Sequence, residues 1–195
     1  MADTALPAPP RSPLAHDAGR LAAATRASGG AIRLAELPFL AQLNVRLDAK
    51  GAAAEAVGLA LDLQLPLQPN TVVRAGELTA LWLGPDEWLL IDESGTDLAA
   101  LAAKADALHS AVDVSHRNTA VLVAGERAAE AIASASPHDL SPKVFPVGAC
   151  ARTVLGKIEV VIFRTGEQEY RVECWRSFAP YAFALLAEGA EDAGL

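Results

Sequence analysis

The stretch Leu81-Trp82-Leu83-Gly84-Pro85-Asp86-Glu87-Trp88-Leu89-Leu90-Ile91-Asp92, which carries two of the chain's three tryptophans, constrains the fold more than any other. Two apolar runs flank a Gly-Pro-Asp-Glu tetrad. Proline presets φ for the second position of a type I turn and Asp suits the third, so the stretch predicts a β-hairpin. Neither run alternates cleanly between apolar and polar residues, which predicts protein on both faces of the hairpin. The hairpin marks the centre of the fold and not a centre of chemistry.

The rest of the chain has the material to cover those faces. It holds 195 residues, 52% of them hydrophobic, with a mean hydropathy of +0.24. Much of the apolar total is alanine, and no apolar run approaches the roughly 18 residues of a membrane span. The net charge of -8 and the lack of a Lys/Arg cluster oppose binding to a polyphosphate backbone. The start of the chain, Pro/Ala-rich and without a basic or apolar signal segment, implies a mobile leader on a cytoplasmic protein.

Along the chain, residues 1–30 read as that leader, with at most a helical turn at 18–26. From Ala41, apolar Leu43, Val45 and Leu47 alternate with Gln42, Asn44 and Arg46, which predicts a half-buried strand. A helix over 51–61, capped by Asp48, follows, then strands over 71–75 and 78–83 that lead into the hairpin. Leu98, Leu101, Ala102, Ala105 and Leu108 recur at helical spacing. Strands near 112–114 and 119–124, a helix over 125–135 and a proline-bracketed loop at 136–143 come next. Three strands over 149–154, 158–164 and 169–174 precede a last helix with Ser177 as N-cap. The order predicts an α+β fold of largely antiparallel sheets with packed helices: a leader over 1–30, one domain over 31–188 and a short tail over 189–195.

Candidate chemistry is sparse. Asp113, Ser115 and His116 adjoin, but on a strand His116 points away from the other two, and no GxSxG elbow is present. Local bonding of Asp113 or Ser115 to backbone is the expected role. Cys150 and Cys174 sit in apolar runs as small buried thiols, and His16, His109, His116 and His138 have no metal-ligand spacing. Arg152, Arg164, Arg171 and Arg176 are expected in solvated ion pairs with Glu159, Glu169 and Glu173. Neither common phosphate-binding glycine loop occurs.

A set of ordered signatures goes further. Leu83-Gly84-Pro85-Asp86-Glu87-Trp88-Leu89-Leu90, Val112-Asp113-Val114-Ser115-His116-Arg117, Phe145-Pro146-Val147-Gly148, Leu155-Gly156-Lys157 and Arg176-Ser177-Phe178-Ala179-Pro180-Tyr181 resemble, over about residues 33–187, the gamma subunits of heterotetrameric sarcosine oxidase. One departure is Ala135-Ser136-Pro137-His138-Asp139-Leu140, where that family often has Gly-Cys-Pro-Leu-Asp-Leu. The family is in turn similar to the folate-binding domain of the glycine cleavage aminomethyltransferase. Where that enzyme carries an Asp-Asp pair on the strand after a glycine turn, this chain places Val160 and Val161, which can neither take a proton nor bond a pterin.

The resemblance implies a noncatalytic subunit that supports assembly of a complex demethylating sarcosine to glycine, with hydrogen peroxide and formaldehyde or 5,10-methylenetetrahydrofolate as products. Its main contact would be the alpha subunit, with beta and delta subunits in the same complex. FAD, FMN, NAD and tetrahydrofolate would sit in the larger subunits and zinc in delta. No catalytic, cofactor-binding or metal residue is assigned to this chain. Partner contacts are expected from the leader, the 136–143 loop and faces near Trp175. The alternatives are a stand-alone folate-binding one-carbon transfer protein and an interaction module unrelated to sarcosine.

Overall fold

The computed structural model describes residues 12–194. Ten strands form two five-stranded sheets in which every pairing is antiparallel. The first contains β1 (Arg33–Glu36), β7 (Asn118–Ala124), β8 (Cys150–Leu155), β9 (Ile158–Gly166) and β10 (Glu169–Trp175), in the order β1-β7-β10-β9-β8. The second contains β2 (Ala41–Leu47), β3 (Val72–Ala75), β4 (Leu78–Gly84), β5 (Glu87–Asp92) and β6 (His109–Asp113), in the order β3-β4-β5-β2-β6.

Helices cover one face of each sheet. Helices α1 (Ala18–Ala27), α4 (Ala128–Ala133) and α5 (Ala179–Ala193) lie on the first, where Ile132, Phe183 and Leu186 join Val121, Val160, Ile162 and Val172 in one core. Helices α2 (Ala52–Leu61) and α3 (Leu98–Ala102) lie on the second, over Leu43, Val45, Ala80, Trp88 and Leu90. A third, smaller core, with Leu81, Leu83, Leu89, Ile91, Cys150 and Val161, fills the space between the sheets. The order of layers is therefore helices, sheet, sheet, helices.

The hairpin β4–β5 sits at the centre of this stack, as its apolar runs predict. Gly84 pairs with Glu87 across the Pro85-Asp86 turn. Leu81, Leu83, Leu89 and Ile91 face the other sheet, while Trp88 and Leu90 face the helices. Trp88 is fully buried, and its indole N–H donates to the Pro66 carbonyl at 2.7 Å, so the one polar atom of a large apolar side chain is satisfied.

Several expectations are corrected. The polar face of strand β2 is wet only at its far end: Gln42 is 3% exposed and Asn44 partly covered, because that face looks onto the other sheet, while Arg46 stays in solvent. The helix expected to run to Leu108 stops at Ala102, since His109 must pair with Leu47, and Leu108 is left 95% exposed. Helix α4 begins at Ala128 and not near 125, because Gly125 adopts φ +127° and packs so tightly on Ala31 that a Cβ would lie 2.0 Å from its carbonyl oxygen. Asp48 does not cap α2; it accepts from Lys50 N at 2.9 Å and Gly51 occupies the N-cap. Ser177 lies inside a 3-10 turn, and Phe178 precedes α5.

The expected leader and tail are also largely structure. Leu14, and Leu21 and Ala24 of α1, are buried in the first core, and α5 continues through the buried Gly189, Ala190 and Ala193. The alanine-rich composition that suggested weak packing supplies small faces that let helices approach: a Cβ on Gly189 would stand 2.4 Å from the Ala131 carbonyl oxygen of α4. The part of the leader over 1–11 lies outside the described residues.

The sheets are tied at a corner and along a polar seam. At the corner, Thr71 bridges Ala149, and Cys150 N donates to Asn70 O at 3.0 Å. Along the seam, the Glu173 carboxylate of the first sheet accepts from Gln42 Nε2 of the second at 3.1 and 3.2 Å and from Arg171 Nε at 2.6 Å. Asn118 Nδ2 donates to Gln42 Oε1 at 2.9 Å, so both ends of the amide are satisfied. Glu173 is 2% exposed. Removing one member of a buried charged pair strands the other, at roughly 3–5 kcal/mol. Glu173→Leu is expected to lose about that much in urea unfolding, and adding Arg171→Met is expected to restore part of it. Strictly additive losses would show that the two groups are not coupled.

Candidate functional site

The inter-sheet seam is the one place where ionisable groups converge inside the described structure. Beside Glu173, the Glu87 carboxylate at the end of the hairpin accepts from Asn44 Nδ2 at 2.9 Å, from Arg46 at 2.8 Å and from Arg152 at 2.9 Å. Arg152 belongs to β8 of the first sheet and Glu87 to β5 of the second, so this ion pair also crosses the gap. Sequence reasoning missed both clusters, because their members lie 65 and 131 residues apart. The signal that could have found them was the run of polar residues on β2, which needed partners once its face was covered.

Between the two clusters lies a cavity of about 40 Å³, lined by Asn44, Glu87, Asn118, Arg152, Val161 and Glu173 among others. A small-molecule site usually offers roughly 300–1,000 Å³, whereas a water needs only about 10–15 Å³ of such space. The cavity has room for water and not for a pterin. The two buried carboxylates, Glu87 and Glu173, are held by Asn, Gln and Arg donors of the protein itself.

Val160 and Val161, which the resemblance set where the aminomethyltransferase is expected to carry its acid pair, are buried on opposite faces of β9. Val160 belongs to the helix-side core and Val161 to the core between the sheets. Glu159, on the same face as Val161, is exposed at the cavity mouth. The residues present do not fit a folate handled by paired carboxylates, and no chemical step is derived through one.

Asp113, Ser115 and His116 form the junction between β6 and the turn before β7. Asp113 Oδ1 accepts from Ser115 N at 2.8 Å, and Ser115 Oγ accepts from Gln42 N at 2.8 Å. Hydrogen bonds from Ser115, its side chain first and its backbone second, hold the Asp113 carboxyl below the usual range. The His116 carbonyl accepts from Arg176 at 3.4 Å. The hydroxyl is occupied in joining β2 to the β6–β7 turn.

The arginines depart from the solvated pairs expected of them. Arg171 does pair with Glu173, but in the buried seam, and Arg152 pairs with Glu87. Arg164, 6% exposed, donates to the carbonyls of Phe145, Gly166 and Glu167 and stands over the Tyr170 ring at 5.4 Å, fastening a loop. Arg176 stands over the Phe39 ring at 5.9 Å. Cys150 and Cys174 are buried free thiols, and burial pushes each up to about 12, which keeps them protonated and unreactive. Among the described residues no His/Cys/Asp/Glu group could hold a metal ion, and no helix is long and apolar enough to cross a membrane.

Burial pushes Glu87 up, but the hydrogen bonds from Asn44, Arg46 and Arg152 and the charge of Arg152 outweigh it and hold the carboxyl below its ordinary 4.5. A group depressed in the folded state stabilises above its unfolded value, and the contribution is lost as pH falls through the folded one. The stability gap between wild type and Glu87→Gln in urea unfolding is therefore expected to be constant near neutral pH and to close below 4.5. A gap that widened in acid would contradict this assignment.

Comparison with known proteins agrees with the architecture. The model of the sarcosine oxidase, gamma subunit family matches residues 46–192. The chain is 33% identical over 185 residues to a sarcosine oxidase subunit gamma from Corynebacterium sp. (strain P-1), covering 93% of this chain and 90% of that one. It is 37% identical over 165 residues to one from Arthrobacter sp., covering 83% and 80%. Among solved structures, a chain of the heterotetrameric sarcosine oxidase from Corynebacterium sp. U-96, in complex with pyrrole 2-carboxylate, superposes with a TM-score of 0.86 at 30% identity, over 95% of this chain and 96% of that chain. The glycine cleavage system aminomethyltransferase T from Bartonella henselae superposes with a TM-score of 0.61 at 14% identity, over 84% of this chain and 48% of that one, which is a likeness of fold alone. With this fold, these signatures in this order and this coverage, the chain belongs to the sarcosine oxidase gamma subunit family.

Proposed function

We propose that the chain is a noncatalytic subunit of a heterotetrameric sarcosine oxidase in the cytoplasm, and that its work is to hold the complex together. The alpha subunit is its main partner, with beta and delta completing the assembly. In that complex sarcosine is oxidatively demethylated to glycine, oxygen is reduced to hydrogen peroxide, and the one-carbon unit leaves as formaldehyde or 5,10-methylenetetrahydrofolate. FAD, FMN, NAD and tetrahydrofolate are carried by the larger subunits and zinc by delta.

The observation that carries the reading is the closed seam. A fold shared with a folate enzyme keeps only about 40 Å³ between its sheets. Each carboxylate there is held by guanidinium and amide donors. A carboxylate fixed in this way tethers two sheets and is a poor proton acceptor for a substrate. Rigid packing of that kind suits a part whose surface, and not its interior, is used.

The test is to express the other three subunits with and without this chain. Without it, the yield of assembled complex and the sarcosine-dependent peroxide production per cell are both expected to fall by roughly tenfold or more, as for loss of an obligate interface. Unchanged assembly together with unchanged peroxide production would contradict the assembly role.

A further inference from the structure

Around the β8–β9 turn and the end of β10, the first sheet and the start of α5 carry exposed large side chains. Val154 on β8 pairs with Glu159 on β9, and Glu159 and Trp175 both line the mouth of the cavity between the sheets. Trp175 is 45% exposed. Its ring stacks on Phe178, with centroids 5.9 Å apart and planes at 18°. Tyr181 lies one turn further along and packs over the β8–β9 turn, where a Cβ on Gly156 would come within 2.5 Å of its hydroxyl. Val154, Tyr181, Phe178 and Trp175 are each more than a third exposed, with Trp175 stacked on Phe178 and Tyr181 at the β8–β9 turn that Val154 precedes.

Cations rim this surface in a chain whose net charge is -8. The Arg117 guanidinium lies 5.2 Å from the Trp175 ring centroid. Arg152 keeps 32% of its side chain in solvent while it holds Glu87, and Lys157 is exposed at the β8–β9 turn. Glu159 and, beside Arg152, the exposed Asp86 are carboxylates among them. Exposed Trp, Tyr and Arg in one patch have the composition of an interface centre, and aromatics left in water without a partner cost solubility.

We propose that this face is where the chain docks onto a larger subunit of its complex, and that the occupant is an acidic segment carrying an apolar or aromatic anchor. The inference rests on the subunit role proposed above. Charge complementarity selects the occupant: Asp or Glu flanking an apolar anchor would meet Arg117, Arg152 and Lys157 while the anchor covers Trp175 and Phe178. A second copy of the chain is disfavoured, because a two-fold contact would set this cationic rim against itself.

The experiment recovers the full-length chain with the other subunits through a tag on the alpha subunit. Trp175→Glu is expected to reduce recovery roughly 30-fold, the loss typical of a central anchor. Arg117→Glu is expected to reduce it less and to flatten its dependence on salt, whereas Leu59→Glu on α2 leaves it unchanged. Hydroxyl-radical footprinting of the wild-type chain gives a second readout that does not depend on how the variants fold. Trp175, Phe178 and Tyr181 are expected to be protected in the complex, with Leu59 and Leu67 as reactive as in the free chain. Equal recovery of wild type and Trp175→Glu, or an unprotected Trp175, would overturn the surface and leave the subunit role intact. Failure to recover the wild-type chain would overturn the subunit role itself, and with it the inference. A dimer of the isolated chain that Trp175→Glu dissolves would also overturn it, by assigning the face to self-association.

Discussion

The structure depends on a carboxylate that is almost wholly buried, Glu173. Stacking two sheets face to face requires each strand to satisfy two interiors, and β2 meets that demand with Leu43, Val45 and Leu47 on one face and Gln42, Asn44 and Arg46 on the other. The polar face would be costly to bury without partners. Glu173 and Asn118 supply them to Gln42, and Glu87 supplies them to Asn44 and Arg46. The apolar core between the sheets is small beside the two helix-side cores, so the polar seam fixes the relative placement of the sheets more than area burial does. Such a seam specifies one arrangement because a slip of one residue would turn every partner to the wrong face.

Much of this was legible in the sequence where local chemistry decides the outcome. Pro85 and Asp86 mark the central turn, and the apolar runs around them announce a hairpin covered on both sides. Strand alternation located β2, and the ordered signatures pointed to the family. What could not be read locally was the destination of a polar face. Gln42, Asn44 and Arg46 have the pattern of a solvated strand edge, and only the pairing of β2 between β5 and β6 under a second sheet covers Gln42 and part of Asn44, leaving Arg46 in solvent.

Tertiary pairing also overrode helical periodicity after Ala102. Leu108 fits the helical stripe, but the pairing of His109 with Leu47 takes the chain into β6 before that residue can join it. Composition misled in the opposite direction at both ends of the chain. Alanine, glycine and serine suggested a leader and a tail, yet α1 and the end of α5 use small residues to pack closely into the first core. For the candidate site, Val160 and Val161 are strand residues whose burial the apolar run announces, whereas the carboxylates between the sheets could not be read locally, since their partners are remote in the chain.

The central claim is that the space between the sheets is filled by the protein's own polar groups, which underlies the proposal of a noncatalytic subunit. Calorimetric titration of the isolated full-length chain with tetrahydrofolate tests that claim most directly. The account predicts no saturable heat up to about 1 mM that depends on the seam, since the cavity between the sheets, at about 40 Å³, lies far below the roughly 300 Å³ of the smallest common ligand sites, unlike the larger clefts elsewhere on the molecule. A saturable isotherm in the micromolar range, abolished by a substitution in the seam such as Glu87→Gln, would contradict it.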